Sequence, residues 1–148
     1  MTAPGAQTRP GVAVHAVWRG GYEAEVHARG HRLVVDEPVD DGGGDRGPVP
    51  TELLCASLAS CLCLAISHVA AKRGVELPDL RVDVRGERDS SALRYDRLIA
   101  TVRSTLPAAE LEPLVERGRR YCWISNMLAH PPVVEMGVES VTSTTEVP

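Results

Sequence analysis

Residues 47–74 read Gly47-Pro48-Val49-Pro50-Thr51-Glu52-Leu53-Leu54-Cys55-Ala56-Ser57-Leu58-Ala59-Ser60-Cys61-Leu62-Cys63-Leu64-Ala65-Ile66-Ser67-His68-Val69-Ala70-Ala71-Lys72-Arg73-Gly74. Pro50 suits the first turn of a helix, where its missing N–H costs nothing. Gly74 suits the position just past the end, and Lys72 and Arg73 complement the negative helix terminus. A helix is therefore predicted over residues 51–73. Its middle, residues 53–69, is apolar nearly all round, relieved only by Ser57, Ser60, Ser67 and His68. Such a helix is either the centre of a core or a membrane span. A span needs about 20 apolar residues, and this shorter, serine-bearing run predicts a buried helix wrapped by sheet and partner surfaces.

Before the helix the pattern is strand-like. Val12, Val14, Ala16 and Trp18 recur at period two, Gly20-Gly21 is a turn signal, residues 22–28 read as a second strand, and Arg29-Gly30 leads into a third over residues 31–36. These predict an antiparallel meander. Residues 37–50 carry Asp40, Asp41, Gly42, Gly43, Gly44, Asp45, Gly47, Pro48 and Pro50, which reads as a flexible linker. A phosphate-binding loop is disfavoured by the missing Gly-Lys-Ser/Thr and by the aspartates, which repel phosphate.

After the helix, residues 80–89 and 95–105 alternate as a second hairpin around Ser90-Ser91. The charges from Arg81 to Arg88 read as its solvated face. Residues 108–121 form an amphipathic helix with Leu111, Leu114 and Val115 on one stripe and Pro113 as a kink or true start. A short helix is predicted over residues 123–129, ended by Pro131-Pro132, and a final strand over residues 133–142. The order βββ-α-ββ-α-α-β is an α+β pattern. Residues 1–10 are expected to be disordered, leaving 11–143 as one domain.

Composition narrows the function. The chain has 148 residues, 43% hydrophobic and 24% charged, with a net charge of −4. That excludes a strongly basic nucleic-acid face. There is no Phe, so aliphatic residues must fill the core. Residues 1–10 lack the apolar stretch of a secretory signal, which predicts a cytoplasmic protein without a structural disulfide framework. The four cysteines are Cys55, Cys61, Cys63 and Cys122. No Cys-x-x-Cys occurs, and Cys61-Leu62-Cys63 is not a usual zinc spacing. Neither these nor His15, His27, His31 and His130 predict a metal, and no cofactor is expected. What remains is inert buried thiols or redox chemistry.

Helical geometry separates the clustered thiols. Cys63 projects about 200° and Cys55 about 120° from Cys61 around the axis, so each stands alone. Cys55 and Cys63 read as small buried hydrophobes. Cys122 follows Arg117-Gly118-Arg119-Arg120-Tyr121, where cations would lower its pKa; an ordinary solvated basic helix end explains that run equally well. His68, two turns beyond Cys61, reads as a core or interface histidine.

Two motifs carry a resemblance. Gly47-Pro48-Val49-Pro50-Thr51-Glu52-Leu53-Leu54, followed by Ala56-Ser57-Leu58-Ala59-Ser60-Cys61, resembles the first motif of the osmotically inducible protein C and organic hydroperoxide resistance (OsmC/Ohr) family. Arg120-Tyr121-Cys122-Trp123-Ile124-Ser125-Asn126-Met127-Leu128 resembles the second. The resemblance spans residues 12–142, and the element order agrees with it.

The resemblance implies a thiol peroxidase reducing organic hydroperoxides in oxidative or osmotic stress. Cys61 would attack the peroxide and become a sulfenic acid, Cys122 would resolve it as a disulfide, and an external dithiol would reduce that disulfide. It also implies an intertwined homodimer with sites between subunits. In well-studied members a glutamate directly follows the motif proline and pairs with an arginine that activates the thiolate. Here Thr51 stands at that position, and Glu52 lies about 180° from Cys61 around the helix, where it reads as a stabiliser of the helix start. Arg19 is the nearest candidate for the arginine, with Arg46 another. Trp123 replaces the proline common after the second cysteine. These departures place the chain in a divergent OsmC-like branch. They also leave a second expectation: a small-molecule-binding or stress-associated protein of the same fold with little turnover.

Overall fold

The computed structural model describes residues 11–88 and 91–141. The expected disorder of residues 1–10 and the tip of the second hairpin at Ser90 lie outside these. Three antiparallel strands, β1 (His15–Gly20), β2 (Glu23–Ala28) and β3 (His31–Val35), form the first sheet in the order β1-β2-β3. Its register pairs Val17 with Glu25 and Glu25 with Val34. Alternation puts Ala16, Trp18, Ala24, Val26 and Leu33 on one face and the charged set around Glu25 on the other. Val35 on this face is buried, but much of the face is not covered by its own chain: Trp18 is 74% exposed and Leu33 39%.

Residues 37–50 are not the flexible linker the composition suggested. They fold around Asp36, which is buried and accepts hydrogen bonds from the backbone N–H groups of Glu37, Gly44 and Arg46 at 2.9, 2.9 and 3.2 Å. Burial would raise this carboxyl, but the three donors outweigh it and hold it below the usual carboxylate range. Gly47 passes so close to β3 that a Cβ there would lie 2.0 Å from the Val34 carbonyl oxygen. The loop thus delivers Pro50 to the helix start in a set position.

Helix α1 (Pro50–Lys72) begins at Val49, whose N–H donates to the Glu52 carboxylate at 3.0 Å. Val49 has no side-chain acceptor, so only this half of a capping box exists. The helix ends in a Schellman motif: Gly74, at φ 65, donates to Ala71 and Val75 donates to Ala70. The expectation that the run is too short to span a membrane does not hold, since α1 has 23 residues and is long and apolar enough by composition. Its packing is that of a core helix. Leu58, Leu62, Ala65, Ile66, Val69 and Ala70 are buried on one side, against α2 (Ala108–Tyr121), β4 (Arg81–Glu87) and α3 (Trp123–Ala129). Leu64 on the other side stays 72% exposed, so one chain does not wrap the whole helix.

β4 and β5 (Arg97–Arg103) form the second, two-stranded antiparallel sheet. Its outer face is the expected solvated ion-pair surface, with Arg81 on Asp83 at 2.6 Å and Arg85 on Glu87 at 3.0 Å. α2 begins at Ala108 and continues past Pro113, which therefore lies inside it rather than at its start. It crosses α1 at Gly118, where a Cβ would lie 2.6 Å from Ile66 Cγ1 and 2.9 Å from its Cα.

The expected final strand is absent: residues 131–141 form no strand, and Thr142 lies outside the described residues. Val134, Met136 and Val138 have the strand alternation but are 82–99% exposed. A strand needs a ladder partner for its backbone groups, and no segment described in this chain supplies one.

Candidate active site

Cys61 sits halfway along α1 and packs against the buried cluster. Cys122 is the single extended residue between α2 and α3, at φ −77 and ψ 107. Because α3 packs against α1, this break brings the second cysteine to the first. The two thiols are free; Cys61 packs against the buried cluster that includes Cys122, and each sulfur shifts the other's pKa. Cys122 is 0% exposed, whereas Cys61 is half-buried.

The two sulfurs are electrostatically unequal. Burial is the largest influence on Cys61 and pushes its thiol up; the neighbouring Cys122 adds to the rise, and the Ile124 and Trp123 N–H groups only partly offset it. Burial also pushes on Cys122, but there it is outweighed. The Ser125 hydroxyl and N–H, the Cys61 thiol and the Ile124 N–H hold Cys122 below the ordinary thiol range. The Ser125 N–H lies 3.4 Å from Cys122 Sγ. Of the two, Cys122 is therefore the thiol that gives up its proton first as pH rises.

Ser125 is the residue sequence reasoning passed over. It occupies the third position of α3 with Cys122 as N-cap, the spacing at which a cap side chain meets a backbone N–H. That signal was available in Cys122-Trp123-Ile124-Ser125.

The other candidates do not join the pair within one chain. Arg19 binds Glu25 at 2.9 Å on the first sheet, and Glu25 also holds His27 at 2.7 Å and Arg32 at 3.3 Å. Arg46 binds Glu23 at 2.6 Å. Thr51 and Glu52 line an open cavity of about 540 Å³ with Cys55, Ala59, Val84 and Tyr95. Glu52 is occupied at the helix start. Cys55 and Cys63 are half-buried rather than enclosed. His68 is exposed, not a core residue, and meets the Tyr121 ring edge-on at 6.3 Å. Among the described residues, no group of three or more His, Cys, Asp or Glu could hold a metal ion.

An α+β chain that apposes two free thiols between its central helix and a C-terminal helical break defines a two-cysteine protein of mixed architecture. The chain belongs to the OsmC family, whose model, OsmC-like protein, matches residues 42–137. Its fold is similar to that of an organic hydroperoxide resistance protein OsmC from Legionella pneumophila, with 24% identity and a TM-score of 0.64 over 82% of this chain and 91% of that one. It is similar also to the organic hydroperoxide resistance protein OhrB of Bacillus subtilis, with 22% identity and a TM-score of 0.60 over 82% and 92%. An OsmC-like protein from Mycoplasma pneumoniae aligns at 17% identity with a TM-score of 0.67 over 82% and 89%. No curated protein matches the sequence.

Proposed function

We propose that this protein is a cytoplasmic thiol peroxidase of the stress response that reduces organic hydroperoxides through Cys61 and Cys122. The observation that carries the reading is the apposition of two free thiols, with Cys61 packed against the buried cluster that encloses Cys122. The hydroperoxide-resistance proteins of similar fold support the substrate class.

Cys61 passes its proton to the Cys122 thiolate and attacks the distal peroxide oxygen. The O–O bond breaks, Cys61 becomes a sulfenic acid, and the leaving alkoxide takes the proton back from Cys122 as it departs as an alcohol. The Cys122 thiolate then attacks the Cys61 sulfur and expels hydroxide, leaving a disulfide. An external dithiol, the second partner, reduces the disulfide by exchange.

We further propose a homodimer. The apolar face of the first sheet, the outer side of α1 and the unpaired residues 131–141 are surfaces that a second copy would cover. Arg19 and Thr51 belong to the proposal as positioning residues supplied across that interface, with Glu52 holding the start of the helix. Light scattering should give twice the chain mass.

The test of activity is consumption of cumene hydroperoxide with dithiothreitol. Turnover is expected in the natural chain and its loss in Cys61→Ser; equal consumption by that variant overturns the mechanism. One observation favours a second reading, a binding or stress-associated protein with little turnover: Arg19 and Arg46 are each engaged by a glutamate, and the Cys61 thiol is pushed up. Ordinary thiol reactivity and no peroxide-dependent disulfide would select it.

A further inference from the structure

Disulfide exchange is directional in principle, because a nucleophile must approach one sulfur along the line of the S–S bond while the other leaves. The two sulfurs here differ in access. Cys122 is enclosed by its own chain, within the cluster that includes Leu58, Leu62, Ile66 and Leu114, and association with a second copy can only bury it further. Cys61 is half-buried. An attack on Cys122 would require the incoming thiolate to reach a sulfur with no exposed surface, whereas an attack on Cys61 starts from the side the chain leaves open.

The groups around the sulfurs point the same way. Whichever sulfur leaves acquires the electron pair and a negative charge. The Ser125 N–H is aimed at Cys122 Sγ from 3.4 Å. The Ser125 hydroxyl is fixed beside it by hydrogen bonds to the Cys122 and Arg119 carbonyl oxygens at 3.2 and 3.3 Å.

We propose that an external dithiol attacks Cys61 and that Cys122 always leaves as the thiolate, with Ser125 as the positioning residue that receives its charge. The attacking thiolate forms a bond to Cys61 Sγ, and the Cys61–Cys122 bond breaks with its electron pair on Cys122. The second thiol of the reductant, deprotonated by water, then displaces Cys61 as a thiolate and closes the reductant's own disulfide. Two electrons pass from the dithiol to the protein, and Cys61 takes a proton from water. The lowered pKa of Cys122 and the raised pKa of Cys61 agree with this order, since the less basic thiolate leaves faster.

The inference rests on the functional reading above only in that the pair cycles through a disulfide, and the test removes the peroxide. The natural chain is oxidised with diamide, pulsed with excess 2-mercaptoethanol, quenched in acid and alkylated, and the modified peptides are located by mass spectrometry. The mercaptoethanol adduct is expected on Cys61 with the alkyl label on Cys122, in roughly tenfold excess over the reverse. Adduct on Cys122, an even division, or no diamide disulfide overturns the proposal. If cumene hydroperoxide is not consumed while the diamide disulfide still opens at Cys61, the peroxidase reading falls and the direction stands. Ser125→Pro removes the N–H that lies 3.4 Å from Cys122 Sγ, at a first-turn position that accepts proline, and should raise the pH at which the Cys122 thiolate forms, read by absorbance near 240 nm, by more than Ser125→Ala, which keeps it. An unmoved titration in Ser125→Pro removes Ser125 from the role.

Discussion

Cys61 of α1 packs against the buried cluster that holds Cys122 at the α2–α3 break, and each sulfur shifts the other's pKa. Neighbouring thiols of this kind join as a disulfide by local closure where their Cα atoms lie within about 7 Å. A stoichiometric pulse of hydroperoxide should therefore convert both to a disulfide, with Cys55 and Cys63 left free for alkylation. Cys122→Ser should stop at a sulfenic acid that a dimedone probe traps. Labelling of Cys55 or Cys63 in its place would contradict the pairing.

Titration of the thiols should separate them. Cys122 lies below and Cys61 above the ordinary thiol range, so the first thiolate absorbance to rise with pH should vanish in Cys122→Ser. Its survival there, with loss in Cys61→Ser, would reverse the assignment.

The helix crossing predicts a stability effect with no bearing on the thiol chemistry. Gly118→Ala puts a Cβ 2.9 Å from the Ile66 Cα and 3.1 Å from its backbone nitrogen, atoms that cannot rotate away. Overpacking of this kind costs about 1–3 kcal/mol, and thermal denaturation should show a lowered Tm. Gly11→Ala, with nothing within 4 Å, is the control that should leave Tm unchanged.

Asp36 predicts an acid limb. Its folded pKa is lowered from 3.8, so its contribution is fully present above the unfolded value and is lost as pH falls through the folded one. Denaturant midpoints should drop below about pH 4. Asp36→Asn should reduce stability at neutral pH and flatten that limb; an unchanged acid profile would count against the loop hub.

Glu52 separates a structural from a catalytic role. Glu52→Ala removes the acceptor of the Val49 N–H and should cost roughly 0.5–1 kcal/mol, read by urea unfolding. Hydroperoxide turnover per folded molecule should hardly change. A loss of turnover as large as that in Cys61→Ser would make it part of the chemistry.

Local patterns carried much of this protein. The first five strands, both C-terminal helices and α1 follow from periodicity, the proline and glycine punctuation at Pro50 and Gly74, and turn chemistry, all of which act between near neighbours. The motifs around Cys61 and Cys122 were legible for the same reason. Sequence alone could not show that Asp36 gathers three backbone donors, because those arise from residues one, eight and ten positions away. Nor could it show that residues 131–141 lack a partner in their own chain, since alternation reports a tendency to pair and not the presence of a ladder. Which cysteine is closed and which is open, and which holds the charge, was decided by tertiary structure. A thiol's access and pKa depend on what packs around it and which N–H groups reach it, and for Cys122 those are fixed by the packing of α3 against α1.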